Sequence, residues 1–171
     1  LRAAAAGIPF MPVRGLKSGD LLDVNDYFSS VEDPFGSGMV NVVKAIRPDV
    51  CILHVQRAEK NGNAQILGPK FDDVLMSRAS EKVIVTTETI VPDDYFSRGK
   101  EKADIPHFMV TAVVHVPKGA SPCSCDGFYD INRPCLNEFK ALKKEEELAA
   151  FLQAYGRDNL GRKGAGSGWE W

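Results

Sequence analysis

Three short clusters hold the residues best equipped for chemistry. Gln56, Arg57, Glu59, Lys60 and the triplet Asn61-Gly62-Asn63 follow directly on the apolar run Val50 to Val55. Arginine suits two-point recognition of a carboxylate, so Gln56 and Arg57 are expected to orient a ligand's carboxylate or other polar groups. The competing expectation is an ion pair within the protein or at an interface. Asn61, Gly62 and Asn63 read first as a tight turn, because Asn-Gly forms turns whatever the function, and second as ligand neighbours. Glu88 closes another apolar run, Lys82 to Thr87. A carboxylate there works as an acid or base if burial raises its pKa; otherwise it pairs with a nearby arginine or caps a loop. Ser124 sits between Cys123 and Cys125 in a loop that suits contact with a partner or a ligand.

A metal site at Cys123, Cys125 and Cys135 is not expected. Cys-x-Cys lacks the two-residue gap of common zinc knuckles, and the nearby imidazoles are His107 and His115, the second inside an apolar strand. His54 interrupts an apolar run and reads as a satisfied core or crevice histidine rather than a base. Cys51 reads as an inert core thiol.

These groups gain meaning from the elements that carry them. Val50 to Val55, introduced by Pro48 and Asp49, has the composition of a strand covered on both faces. In open α/β sheets, ligands sit just past the carboxyl ends of such strands. Lys82 to Glu88 is a second such strand, and Phe71 to Ser80 is a helix between them with Phe71, Val74, Leu75 and Ala79 on one face. Strand, helix, strand in that order implies a parallel crossover. Phe108 to Val116 is a third β-rich run, Ala64 to Leu67 a brief strand, and Val40 to Ile46 a lead into the first buried strand. Leu1 to Ala6 is helical, Ile8 to Val13 extended, Arg14 to Asp20 a polar loop and Leu21 to Gly38 irregular. Leu136 to Tyr155 is one charged helix, with Leu142, Leu148, Phe151 and Leu152 as its buried contacts and Gly156 as its stop. Residues 156–171 read as a flexible tail. The class is α/β, an open and mainly parallel sheet with flanking helices, in a single domain over residues 1–155.

With 171 residues and a formal net charge of −2, the chain suits one domain and has no basic excess to attract nucleic acid or an anionic membrane. No apolar run approaches a membrane span. The composition otherwise reads as that of a cytoplasmic enzyme with reduced cysteines. A start at Leu1, inside a helical run and without an initiator methionine, is expected of an N-terminally truncated subunit.

Four ordered blocks then carry a resemblance. They are Ile8-Pro-Phe-Met-Pro12; Ala45 to Val50 with His54-Val-Gln-Arg-Ala58 and Asn61-Gly62-Asn63; Val83 to Val91; and Val116-Pro-Lys-Gly-Ala-Ser-Pro-Cys-Ser-Cys-Asp-Gly-Phe-Tyr-Asp130. Over about residues 8–140 the chain resembles the alpha subunit of family I coenzyme A transferases, closest to the glutaconate type. The resemblance implies that coenzyme A passes between two carboxylic acids, with a coenzyme A thioester as substrate and no bound cofactor. It implies a beta subunit that carries the nucleophilic glutamate, which no segment here matches, so this chain alone is expected to be inactive. The family's glycine-rich segment is expected upstream of Leu1. Relatives commonly read Gly-Ala-His-Pro where this chain has Gly119-Ala120-Ser121-Pro122, which removes an imidazole beside the expected site. Two other readings remain: a thioester hydrolase on the same heteromeric scaffold, and a noncatalytic ligand-sensing domain, which the lack of a helix-turn-helix and of a basic patch disfavours.

Overall fold

The computed structural model describes residues 1–15, 21–36 and 38–160. The loop expected at Arg14 to Asp20 lies mostly outside the described residues, as does the tail from residue 161. The chain divides into two compact units, Leu1–Pro117 and Lys118–Trp171.

The first unit opens with helix α1 (Arg2–Ala5), whose Ala3 and Ala4 are buried, then strand β1 (Phe10–Pro12), helix α2 (Leu21–Val24) and strands β2 (Phe28–Glu32) and β3 (Met39–Lys44). Strands β1, β3 and β2 pair in that order as an antiparallel sheet. Two expectations are corrected here. Leu21 to Gly38 is not irregular but holds α2 and β2, and Val40 to Ile46 does not lead into the buried strand but forms the middle strand of this small sheet. Pro34 and Gly36 lie in the turn between β2 and β3, where the Asp33 carboxylate accepts from the Phe35 amide at 3.0 Å.

The second sheet contains β4 (Val50–Glu59), β5 (Ala64–Gln65), β6 (Lys82–Val91) and β7 (Ala112–His115), in the order β5-β4-β6-β7. β4, β6 and β7 are parallel; the short β5 folds back antiparallel on β4. Helix α3 (Asp73–Ala79) connects β5 to β6, and helix α4 (Tyr95–Arg98) follows β6. Phe71 lies before α3 and is 86% exposed, so it does not share the helix's inner face as expected; Ser77 and Ala79 are buried there, and Val74 and Met76 pack on the core. Phe108 is also exposed, in a single 3₁₀ turn ahead of β7.

Alternation along β4 and β6 sorts side chains between two faces. Cys51, Leu53, Val55, Val83 and Val85 point to the core and are buried; each such side chain contributes about 1.5–3 kcal/mol. The opposite face was expected to be covered too. It is not covered at its amino-terminal end, where Val50 is 47% and Ile52 66% exposed, with Ile84 and Ala112 aligned beside Ile52.

The second unit contains helices α5 (Arg133–Ala141) and α6 (Glu145–Leu160). The single helix expected over Leu136 to Tyr155 is broken at Leu142, whose backbone is extended. Glu147 explains the restart: its carboxylate accepts from the Lys143 and Lys144 amides at 3.0 and 3.3 Å. Asn132 caps α5 by accepting from the Cys135 amide at 3.2 Å. Gly156 does not stop α6, which runs on to Leu160, and Leu152 is exposed rather than buried. Phe151 lies between Phe139 and Tyr155, at 5.8 and 6.1 Å between ring centroids. Among the described residues no helix is long and apolar enough to cross a membrane.

Candidate functional site

β4 is longer than the apolar run that announces it, and this relocates the polar cluster. Gln56, Arg57 and Glu59 are strand residues, not loop residues beyond a strand end. The alternation therefore sends them to different faces. Gln56 shares a face with His54, while Arg57 and Glu59 point the other way.

On the first face His54 meets Glu88. The imidazole Nε2 lies 2.7 Å from Glu88 Oε1, and Nδ1 lies 2.9 Å from the Thr86 hydroxyl. His54 and Thr86 are direct partners in the β4–β6 register, and Glu88 stands two residues further along the same face. The Thr86 hydroxyl reaches the Leu53 carbonyl at 3.3 Å. The histidine side chain is 15% and the glutamate 4% exposed. Both ring nitrogens are thus engaged within the chain. Gln56 is buried on this face and closes a two-way bond with Leu67, accepting from its amide at 3.0 Å and donating to its carbonyl at 3.4 Å. That arrangement pins the loop after β5 and uses both ends of the Gln56 amide.

On the second face Glu59 is 1% exposed. Oε2 accepts from Asn63 Nδ2 at 2.6 Å and Oε1 from the Phe96 amide at 3.0 Å. Burial pushes its carboxyl up, but the Phe96 amide, the Asn63 and Asn61 side chains and the Tyr95 amide outweigh that and hold it below the usual carboxylate range. Asn63 Oδ1 in turn accepts from the His107 amide at 2.9 Å, and Asn61 Oδ1 from the Asn63 amide at 3.0 Å. Gly62 has φ +114°, and a Cβ there would meet Val110 Cβ at 3.1 Å and the His107 backbone at 3.2 Å. Asn61, Gly62 and Asn63 are thus spent on folding the turn around Glu59.

Arg57 Nη1 donates to Glu101 Oε2 at 2.6 Å, to the Tyr95 hydroxyl at 3.1 Å and to Gln65 Oε1 at 3.4 Å. Ser124 belongs to the second unit and is exposed in the loop ahead of the Cys125–Tyr129 bridge. Of the residues singled out in the sequence, the structure brings Gln56 and Glu88 to one face of β4 and β6. It places Arg57 and the Asn61–Asn63 turn with the opposite face. Three participants were missed, Tyr95, Gln65 and Glu101 around Arg57; His54, expected as a satisfied core or crevice histidine, is the partner of Glu88. His54 and Glu88 are 34 positions apart, and only the β4–β6 register makes them neighbours.

This fold and these two polar clusters can be set beside known proteins. The chain belongs to the coenzyme A transferase family, whose model matches residues 1–116, essentially the first unit. It is 36% identical to one of the subunits of glutaconate CoA-transferase from Acidaminococcus fermentans over 90% of its length, and spans 53% of that relative. It is similar to the crystal structure of that enzyme with a TM-score of 0.82 and 35% identity, covering 96% of this chain and 59% of the crystallised one. It is also 32% identical to the IpdA subunit of a cholesterol ring-cleaving hydrolase from Rhodococcus jostii, over 70% of this chain and 44% of that one. The chain thus spans about half the length of these relatives.

Proposed function

We propose that this chain is a portion of the alpha-type subunit of a CoA-transferase, moving coenzyme A from an acyl-CoA to a carboxylic acid with a beta-type partner subunit. The observation that carries the reading is the 36% identity to a glutaconate CoA-transferase subunit over nine-tenths of the chain. In the proposed reaction the partner's glutamate attacks the thioester carbonyl, forming a mixed anhydride and expelling the coenzyme A thiolate. The thiolate attacks the glutamyl carbonyl, releasing the first acid and leaving a glutamyl thioester. The acceptor carboxylate repeats the two steps in reverse, so no net proton or electron is consumed.

On this reading residues 1–155 form the CoA-transferase portion, and the complex works in the cytoplasm. The chain's contribution to the site is the Glu88 carboxyl, held by His54 at the carboxyl-terminal end of the sheet face. Gln56 lies on the same face, and Arg57 and the Asn61, Gly62 and Asn63 turn bond on the opposite one; Ser124 is kept as a candidate of the second unit. The exposed Val50 and Ile52, with half-buried Ile84 beside them, support an obligate protein partner, because a parallel sheet is stable with both faces covered.

The 32% identity to a ring-cleaving hydrolase subunit favours one second reading, a hydrolase in which water replaces the acceptor acid. One experiment separates the two: the subunit is co-expressed with its beta-type partner and incubated with a panel of acyl-CoA thioesters, with acetate or with water alone. Acetyl-CoA formation with a coenzyme A-sized mass adduct on the partner supports the transferase. Thioester loss that needs no acceptor and leaves no adduct replaces it with the hydrolase, and no turnover of any thioester sinks both.

A further inference from the structure

The Arg57 cluster lies on the face opposite to the His54–Glu88 pair and does not depend on the transferase reading. Two elements converge there on one carboxylate oxygen. Arg57 from β4 and Tyr95 from α4 both donate to Glu101 Oε2, at 2.6 and 2.9 Å. Gln65 from β5 is 8% exposed, and its Oε1 accepts from Arg57 Nη1 at 3.4 Å. The Tyr95 hydroxyl foremost, and Arg57 and Gln65 with it, hold Glu101 below the usual carboxylate range despite some desolvation.

The donors are held in place without Glu101. Arg57 also donates to Gln65 Oε1 and to the Tyr95 hydroxyl, and its guanidinium lies 5.9 Å from the centre of the Tyr95 ring. Glu101 is the more exposed member, 46% exposed on an irregular stretch after α4. Tyr95 and Glu101 line an open cleft of about 490 Å³, with Arg98, Gly99 and Lys100 alongside. Arg98 is bonded to Asp94 at 2.7 Å, within the same cleft. A preset guanidinium and phenol aimed at one oxygen form an anion receptor, and here a carboxylate of the chain itself fills it.

We propose that Arg57 and Tyr95, with Gln65 steadying Arg57, form a binding site for the carboxylate or phosphate group of a ligand reaching them through this cleft, with Glu101 as a displaceable internal occupant. The ligand's oxygen takes the position of Glu101 Oε2, and Glu101 swings into solvent. An internal competitor lowers the apparent affinity of any external anion by the fraction of time it leaves the site open.

Sodium acetate and inorganic phosphate are titrated separately, at constant ionic strength, into the wild-type chain and Glu101→Gln. The Arg57 guanidinium signals report binding by NMR. Glu101→Gln is expected to bind acetate, phosphate or both about tenfold or more tightly than wild type. Acetate alone identifies a carboxylate ligand and phosphate alone a phosphate ligand. Tyr95→Phe in the Glu101→Gln background keeps the ring, removes one donor and weakens binding several-fold. The proposal is overturned if Glu101→Gln binds neither anion more tightly, or if Tyr95→Phe leaves the gain intact. It is equally overturned if Glu101→Gln abolishes the cooperative unfolding that wild type shows, because Glu101 is then a fixed strut.

Discussion

Replacing Glu59 by glutamine keeps shape and volume, yet it should cost this chain a large part of its stability. Both carboxylate oxygens accept: Oε2 from Asn63 at 2.6 Å and Oε1 from the Phe96 amide at 3.0 Å. Glutamine offers one oxygen and one NH₂, so one donor must face another donor in a site that is 1% exposed. Losing one charge-assisted bond costs about 1.5–3 kcal/mol, and the stranded donor about 1–3 kcal/mol more. The expected loss is about 3–5 kcal/mol, against about 5–15 kcal/mol for a typical domain. Urea denaturation at pH 7, followed by far-UV circular dichroism, measures it. The acid dependence supplies a second check. Glu59 is held below its ordinary range in the folded chain, so its contribution is complete above the unfolded pKa of about 4.3 and fades as pH falls through the lower folded value. The gap between wild type and Glu59→Gln should therefore narrow on acidification. A loss under about 1 kcal/mol at pH 7, or a gap that widens in acid, would refute the reasoning.

Three further outcomes follow from the same geometry. Gly62→Ala should destabilise by about 2–4 kcal/mol, since a Cβ at φ +114° adds backbone strain to the 3.1 Å contact with Val110; an unchanged urea midpoint contradicts this. Ile52→Lys should leave the chain's own unfolding free energy within about 0.5 kcal/mol, because the side chain is 66% exposed. The same change should block assembly with the proposed partner, and an intact co-purified complex would sink that reading. Burial foremost, with the Asp73 charge, raises the Cys51 thiol against the opposing Ser80 bond, so iodoacetamide should label exposed Cys123 in the native chain and Cys51 only after unfolding. Equal labelling rates would show that β4 opens readily.

The parallel core was legible in the sequence because Val50–Val55 and Val83–Val85 are dense in β-branched residues that few other structures accommodate. The strands' true lengths were not, since Gln56 to Glu59 and Thr86 to Glu88 look like loop residues until register shows where their polar groups bond. β2 was missed because Phe28-Ser-Ser-Val-Glu32 has only two large apolar residues and pairs at the edge of a small sheet. The break at Leu142 was hidden because leucine favours helix; the Glu147 cap that restarts the chain wins over that preference. For the site, residue types were informative and partners were not. Arg57 was recognised as a carboxylate binder, but its carboxylate, Glu101, lies 44 positions away on an irregular stretch.

The division of labour along β4 has a consequence for how this sequence can change. His54 and Gln56 serve one face; Leu53, Val55, Arg57 and Glu59 serve the other, and the period of two keeps the sets apart. A single deletion or insertion between residues 53 and 59 would exchange them wholesale. It would aim Arg57 at Glu88, carry Glu59 away from its amides and turn core valines outward. Point substitutions disturb one bond each, whereas a frame change of one residue dismantles both clusters at once. Length variation among relatives should therefore be found in the segments that flank this strand, and the ten positions of β4 should drift in identity but not in number.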